Sequence, residues 1–357
     1  MYKRTLLALL SLLVLCTGVL WLAAAYAGPE QPRLSASAQS PKPSKTPKPT
    51  MTPKQTSTPK PTMAPQPEAW PNLPSLDKDG YLAADCSQEE FFHADEANGL
   101  WLYISKDLQV QIQRYSDPNK PLIWYESVIR CRGDQCLDGV LTNPDNPGTK
   151  LRRPDVIAKS NRLVFAVSDD YFGDRKYNGI TEGIIVRNGK IVSQKTYKND
   201  STAFPNLETM ALFQDGSLKV YKSREYSAQE YIDMGATDVF AFGPILIRNG
   251  IINDKLNERH DHLEPRCAFG MVEPNYYVCI VVEGRHDKSR GTGLPWVARR
   301  MAEMGVTQAL NLDGGQTVAL TFMGRKINTT GKFGPAANVR SLSGMIGIGV
   351  SQMVPEK

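Results

Sequence analysis

Between Gly28 and Pro74 stand 13 of the chain's 25 prolines, mixed with Lys, Ser and Thr. Proline lacks the N–H that a helix interior or central strand needs, and its neighbours here offer almost nothing apolar to bury. This linker, residues 28–74, cannot nucleate a core, so the folded part of a 357-residue chain must be built from Ser75 onward, residues 75–357. Thr-Pro-Lys recurs at Thr46, Thr52 and Thr58, but nothing apolar recurs with it, which marks a spacer and not a solenoid. As extended polyproline at ~3.1 Å per residue, the linker would reach on the order of 140 Å.

Ahead of the linker, residues 5 to 29 carry no charge, and Leu6 to Ala25 form a nearly continuous apolar run behind Lys3 and Arg4. A run of ~20 apolar residues spans a bilayer, with its positive flank kept in the cytoplasm. Residues 1–27 are therefore expected to be a transmembrane anchor. A cleaved signal peptide stays open, since Ala25-Tyr26-Ala27 has the small-x-small form of a cleavage site. Either way the remainder is exported: a single-pass protein of the cell membrane with an extracytoplasmic C-terminal domain, or a secreted one if cut after Ala27. The net charge of +5 owes much to Lys and Arg in the first 60 residues and gives no nucleic-acid signal.

From Ser75 the composition becomes globular. Trp101 to Ser105, Leu108 to Tyr115 and Leu122 to Arg130 alternate apolar and polar as half-buried strands do. Asn188-Gly189 and Asn249-Gly250, each between apolar runs, predict hairpins with type I′ turns, and Asp215-Gly216 marks another. Helices are expected at Arg153 to Ser160, at Ser227 to Met234 behind a Ser227–Glu230 capping box with Gly235 as its stop, and near Leu294 to Met304. Many strands and few helices make an α+β fold with a mixed or antiparallel sheet core. In an exported protein Cys131 and Cys136 are close enough for a disulfide; a zinc site is the alternative, although no second Cys or His pair stands at suitable spacing.

Ala309 to Leu320 reads as strand, tight turn, strand, with Asp313 delivered at a turn whose Gly314 and Gly315 leave the backbone bare for a ligand. Other stretches stand with it in order: Ala166 to Phe172, Phe242 to Leu246, Pro265 to Gly270, Val282 to Arg285 and Asn311 to Gly315. Together this set resembles the phosphodiester glycosidase family over roughly residues 150 to 350. Its best-known members uncover N-acetylglucosamine phosphodiesters on mannose residues, and its bacterial members are often described as exopolysaccharide-related. Departures are Ser168-Asp169 where Asn-Gly is usual, Cys267 where Thr is usual, Glu283 where Asp is commoner, and Gln316-Thr317 where Gly and Ser are common.

The resemblance implies cleavage of a sugar from a phosphodiester, chemistry that calls for carboxylates beside an oxocarbenium-like centre and fixed cations beside the phosphate. Asp313, Asp170 and Glu283 are the candidate catalytic carboxylates. Arg266, Arg285 and Arg340 are the candidate phosphate binders, because a guanidinium presents paired donors. Asn311, Gly314, Gly315 and Thr317 complete the expected substrate contacts. No cofactor is expected; a divalent cation at Asp313 stays open, and no metal ligands are assigned. The partners implied are a phosphate-containing glycan or glycoconjugate of a cell-wall polymer or exopolysaccharide, and the membrane through the N-terminal segment. The alternative is a non-catalytic carbohydrate-binding protein of the cell envelope on the same fold, motivated by Ser168 and Asp169.

Export has a direct check. Cysteines introduced beyond Ser75 should react with a membrane-impermeant reagent on intact cells; protection until lysis would contradict the expected topology.

Overall fold

The computed structural model describes residues 72–133, 136–172, 182–195, 207–329, 331 and 340–356. The expected membrane segment, and the linker as far as residue 71, lie outside the described residues. Among those described, no helix is long and apolar enough to cross a membrane.

In chain order the strands begin with β1 (Glu90–Asp95), β2 (Leu100–Ser105), β3 (Leu108–Ser116), β4 (Ile123–Cys131) and β5 (Leu137–Leu141). Helix α1 (Pro154–Ser160) precedes β6 (Leu163–Val167), β7 (Gly183–Arg187), β8 (Lys190–Lys195), β9 (Glu208–Phe213) and β10 (Leu218–Tyr221). Helix α2 (Ala228–Asp233) is followed by β11 (Ala236–Phe242), β12 (Ile245–Arg248), β13 (Ile251–Ile252), β14 (Arg266–Glu273) and β15 (Tyr276–Val282). Helix α3 (Leu294–Glu303) leads to β16 (Gln308–Leu312), β17 (Leu320–Phe322), β18 (Arg325–Lys326) and β19 (Gly344–Val350).

Local chemistry accounts for most of these elements. At α2 the Ser227 hydroxyl accepts from the Glu230 N–H at 3.3 Å and the Glu230 carboxylate accepts from the Ser227 N–H at 2.7 Å, the reciprocal cap that the spacing predicts. Asn188-Gly189 joins β7 to β8 and Asn249-Gly250 joins β12 to β13, with both residues of each pair at positive φ, as a type I′ turn requires. Cys131 and Cys136 are joined by a disulfide at the end of β4, their Cα atoms 6.3 Å apart.

The strands assemble into three sheets whose registered pairings are all antiparallel: a nine-stranded sheet in the order β1-β2-β3-β4-β15-β14-β16-β12-β13, and two of five strands, β10-β9-β11-β7-β8 and β18-β17-β6-β19-β5. The period of two lets the large sheet bury both faces. Cys267, Phe269, Tyr277, Cys279, Leu310 and Leu312 point into the central core shared with the other sheets. The alternate residues Ala268, Val278, Ile280, Val282 and Ala309 pack under Leu294, Val297, Ala298 and Met301 of α3. This is the expected α+β class, mostly sheet with few helices.

One expectation is corrected. The stretch on either side of Asp313-Gly314-Gly315 is not a hairpin: β16 pairs with β14 and β12 in the large sheet, whereas β17 pairs with β6 and β18 in a small one. Gly315–Thr317 forms a 3-10 turn that carries the chain from one sheet to the other. Two apolar strands flanking an Asp-Gly look alike whether they pair with each other or part company.

A buried cation ties two of the sheets together. Arg187, at the end of β7 and 3% exposed, donates through Nη1 to the carbonyls of Val186 and Val239 at 2.9 and 2.6 Å. Its Nη2 donates to the carboxylates of Asp169, at 3.2 Å, and Asp170, just beyond the end of β6. Burial works to lower the pKa of this guanidinium, but Asp170, Asp169 and Asp238 outweigh it and hold it above the usual arginine value. Asp238 of β11 in turn accepts from the Gly139 N–H of β5 at 3.1 Å. A side chain at Gly139 would put a Cβ 2.1 Å from Arg187 Cδ, so only glycine leaves room for the guanidinium. Replacing Arg187 with Met should cost about 3 to 5 kcal/mol of unfolding free energy, because two carboxylates lose their buried counter-charge. Denaturant titration checks this, and a loss under about 1 kcal/mol would show that the network is not what holds the sheets together.

Candidate active site

Three strand ends, one from each sheet, meet where Asp313 lies. The Asp313 N–H donates to the Asp169 carbonyl beyond β6 at 3.1 Å, and the Tyr171 N–H to the Ala241 carbonyl of β11 at 3.1 Å. The Gly243 N–H beyond β11 donates to the Asn311 carbonyl of β16 at 3.0 Å, while the Asn311 N–H returns a bond to the Pro244 carbonyl at 3.1 Å. The Asp313 Oδ2 accepts the Phe172 N–H at 3.2 Å, which fixes the direction of the carboxylate.

A cleft of 1310 Å³ opens over this seam. Its wall includes Asn311, Asp313, Gly314, Gly315, Arg266, Arg285 and Arg340, so most of the residues singled out by sequence are brought together. Gly314 lies where a Cβ would come 2.7 Å from the Pro265 carbonyl, and Gly315, at φ +61°, lies under the Arg285 guanidinium, whose nitrogens would stand 3.1 Å from a Cβ there. The glycines thus bring the turn close against the Pro265–Arg266 backbone and the Arg285 fork.

Each arginine is held by its stem or one edge. Arg266 donates through Nε to the Thr292 carbonyl at 3.0 Å and through Nη2 to the His262 carbonyl at 2.8 Å. Burial lowers its pKa, Glu264 opposing and Arg285 reinforcing the shift. Arg285 is anchored through Nε to Glu264 at 2.7 Å. Arg340 lies over the Phe172 ring, 4.7 Å from its centroid, and donates to Thr317 Oγ1 at 2.7 Å. Asn311 donates to the Gly243 carbonyl at 2.8 Å, while its buried Oδ1 has no hydrogen-bond partner among the described residues.

Asp170, Glu283 and Thr317 stand behind the cleft and not on its wall. Asp170 is 2% exposed and occupied on both oxygens, Oδ2 by Arg187 and Oδ1 by the Ala241 N–H at 2.5 Å. Glu283 is buried, accepting from the Tyr125 hydroxyl at 2.9 Å and the Thr329 N–H, with His286 Nε2 3.2 Å away. Nearby Lys326 has its ammonium pushed down to about 8 by burial, with the Glu283 charge opposing. Thr317 is buried and receives Arg340. These three support the wall from behind.

Sequence reading missed Glu208 and Glu264, both on the wall. Glu208, at the start of β9, opposes Phe242 in register and accepts the Ile245 N–H through Oε2. Burial raises its pKa; that hydrogen bond and the charges of Lys222, Lys255 and Arg248 work against the rise. Nothing around Glu208 in the chain marks it, since it heads an ordinary apolar strand. Glu264 lies one residue before the Pro265–Gly270 stretch, and no spacing of its own marks it.

A family model described as phosphodiester glycosidase matches residues 161–349. An uncharacterized SPbeta prophage-derived protein of Bacillus subtilis strain 168, YomE, is 30% identical over 179 residues, 48% of this chain and 26% of that protein. The chain therefore spans about a quarter of that relative's length. The catalytic domain of zebrafish N-acetylglucosamine-1-phosphodiester alpha-N-acetylglucosaminidase, auto-inhibited by its pro-peptide, superposes with a TM-score of 0.53 at 18% identity, over 73% of this chain and 88% of that one. At that identity the likeness is one of fold.

Proposed function

This chain belongs to the phosphodiester glycosidase family, and we propose on that premise that it hydrolyses the bond between a sugar's anomeric carbon and a phosphodiester in a glycan of the cell envelope. The observation that carries the reading is one cleft holding the Asp313 carboxylate beside three guanidinium groups, Arg266, Arg285 and Arg340. Water adds to C1, the C1–O bond breaks, and a phosphate monoester departs with the bond's electron pair. A diester carries one negative charge and the departing monoester up to two, so fixed cations favour the transition state over the ground state. Asp313 faces the positive charge that develops at the sugar ring.

Glu208 is the second carboxylate of this reading. Its burial keeps the proton to higher pH than an ordinary glutamic acid, which suits a donor to the leaving oxygen. Asp170 and Glu283 hold the site's framework. Ser168 and Asp169, which motivate a non-catalytic reading, are accounted for by framework contacts: Ser168 Oγ lies 3.4 Å from the Asp313 carbonyl and Asp169 pairs with Arg187. The same reading places the domain outside the cytoplasm, held to the membrane through residues 1–27 and the linker.

Turnover of a sugar-1-phosphodiester across pH tests this. Asp313→Asn should lower kcat by roughly 10²- to 10³-fold with the fold intact, the cost of removing one preorganised charge-stabilising group. Wild-type kcat/KM should fall as pH rises through the raised Glu208 pKa, where the proton is lost. In Glu208→Gln that alkaline fall should vanish and the low-pH plateau should drop by about 10²-fold, the small end of the range because phosphate departs readily. Near-wild-type turnover by Asp313→Asn overturns the assignment.

A further inference from the structure

The cleft is larger than one sugar and one phosphate need. Its 1310 Å³ exceeds the ~300 to 1,000 Å³ usual for a small-ligand site. Among the described residues, seven Lys and Arg line it against four Asp and Glu. Five of these cations fall into two sets by the carboxylate they act on. Arg266 and Arg285 act on one another and on Glu264, beside Asp313. Lys222, Lys255 and Arg248 act instead on Glu208.

Two of the second set, with Arg259 on the same wall, are placed for a ligand. Lys222 follows β10, and Lys255 with Arg259 belongs to the segment between β13 and β14; all three are exposed cleft-lining residues. Among the described residues none of the three has a carboxylate at ion-pair distance. Arg248 differs, since both its Nη atoms are committed to Glu225 at 3.0 and 2.7 Å. The same wall also offers apolar surface: Phe242, stacked on Tyr171 with ring centroids 6.0 Å apart, and Ile251, 73% exposed. A sugar ring has an apolar C–H face that such surface fits. Two sets of cations and apolar surface in one cleft match a ligand that carries two anions and a sugar.

We infer that Lys222, Lys255 and Arg259 form a second anion subsite, and that the substrate is a glycan with a phosphodiester at successive repeats, bound through two of its phosphates at once. The inference rests on the glycosidase reading for what happens at Asp313, but not for the binding itself. Two linked contacts make the second intramolecular, which raises affinity without any new chemistry at the first. A glycan with a single phosphodiester would fill only the arginine end.

Calorimetry on the Asp313→Asn full chain separates these, because bound ligand is not consumed. The probes are a four-repeat oligomer of N-acetylglucosamine 1-phosphate and the single-phosphate N-acetylglucosamine 1-(methyl phosphate). The oligomer should bind on the order of tenfold or more tighter, and its affinity should fall more steeply with NaCl. Adding Lys222→Gln and Lys255→Gln should erase the oligomer's advantage and leave the single-phosphate affinity within about twofold. Equal affinities for the two probes, or an advantage that survives the double substitution, would overturn the subsite. Absence of turnover by the wild-type chain with the binding difference intact would instead count against the glycosidase reading alone.

Discussion

The site depends on one buried guanidinium. Arg187 is nearly inaccessible to water, and such burial of a charge is tolerated only where counter-charge and hydrogen bonds replace the lost hydration. It has both: two carboxylates beyond the end of β6 and two backbone carbonyls, one on its own strand and one on β11. Asp169 then presents its carbonyl to the Asp313 N–H, and Asp170 takes the Ala241 N–H. The ends of β6, β11 and β16 are thereby fixed relative to one another, and Asp313 with them.

That rigidity matters for the chemistry proposed. Electrostatic stabilisation of a departing phosphate is strong only if the donors are in place before the charge develops. Arg266 is held by two carbonyls, Arg285 by Glu264, and Arg340 by Thr317 and the Phe172 face, so each guanidinium on the cleft wall is oriented by contacts of its own. Placing the carboxylate on a glycine turn between two sheets, and the cations on the segments around it, brings opposite charges together on one cleft wall.

Much of this was legible in the chain because it is local. The Asn-Gly turns, the Ser227–Glu230 cap, helix α3 and the strands β2 to β4 follow from positive-φ requirements, capping chemistry and alternation, all of which act within a few residues. The seam was not legible, because whether β16 and β17 pair is decided by partners such as β6 and β14, far away in sequence. The same reason separates the carboxylates. Asp170 and Glu283 stand in recognisable motifs yet face Arg187 and Tyr125, while Glu208, on no motif, reaches the cleft because β9 lies beside β11.

The central claim is that the bond broken is carbon–oxygen at the sugar and not phosphorus–oxygen, a distinction that the three arginines alone do not make and that Asp313 does. Hydrolysis of a sugar-1-phosphodiester in oxygen-18 water, followed by mass spectrometry of both products, reads it directly. The account predicts the heavy oxygen on the sugar's anomeric hydroxyl and none in the phosphate monoester. Heavy oxygen in the phosphate would make the protein a phosphodiesterase, and the role given to Asp313 would be wrong.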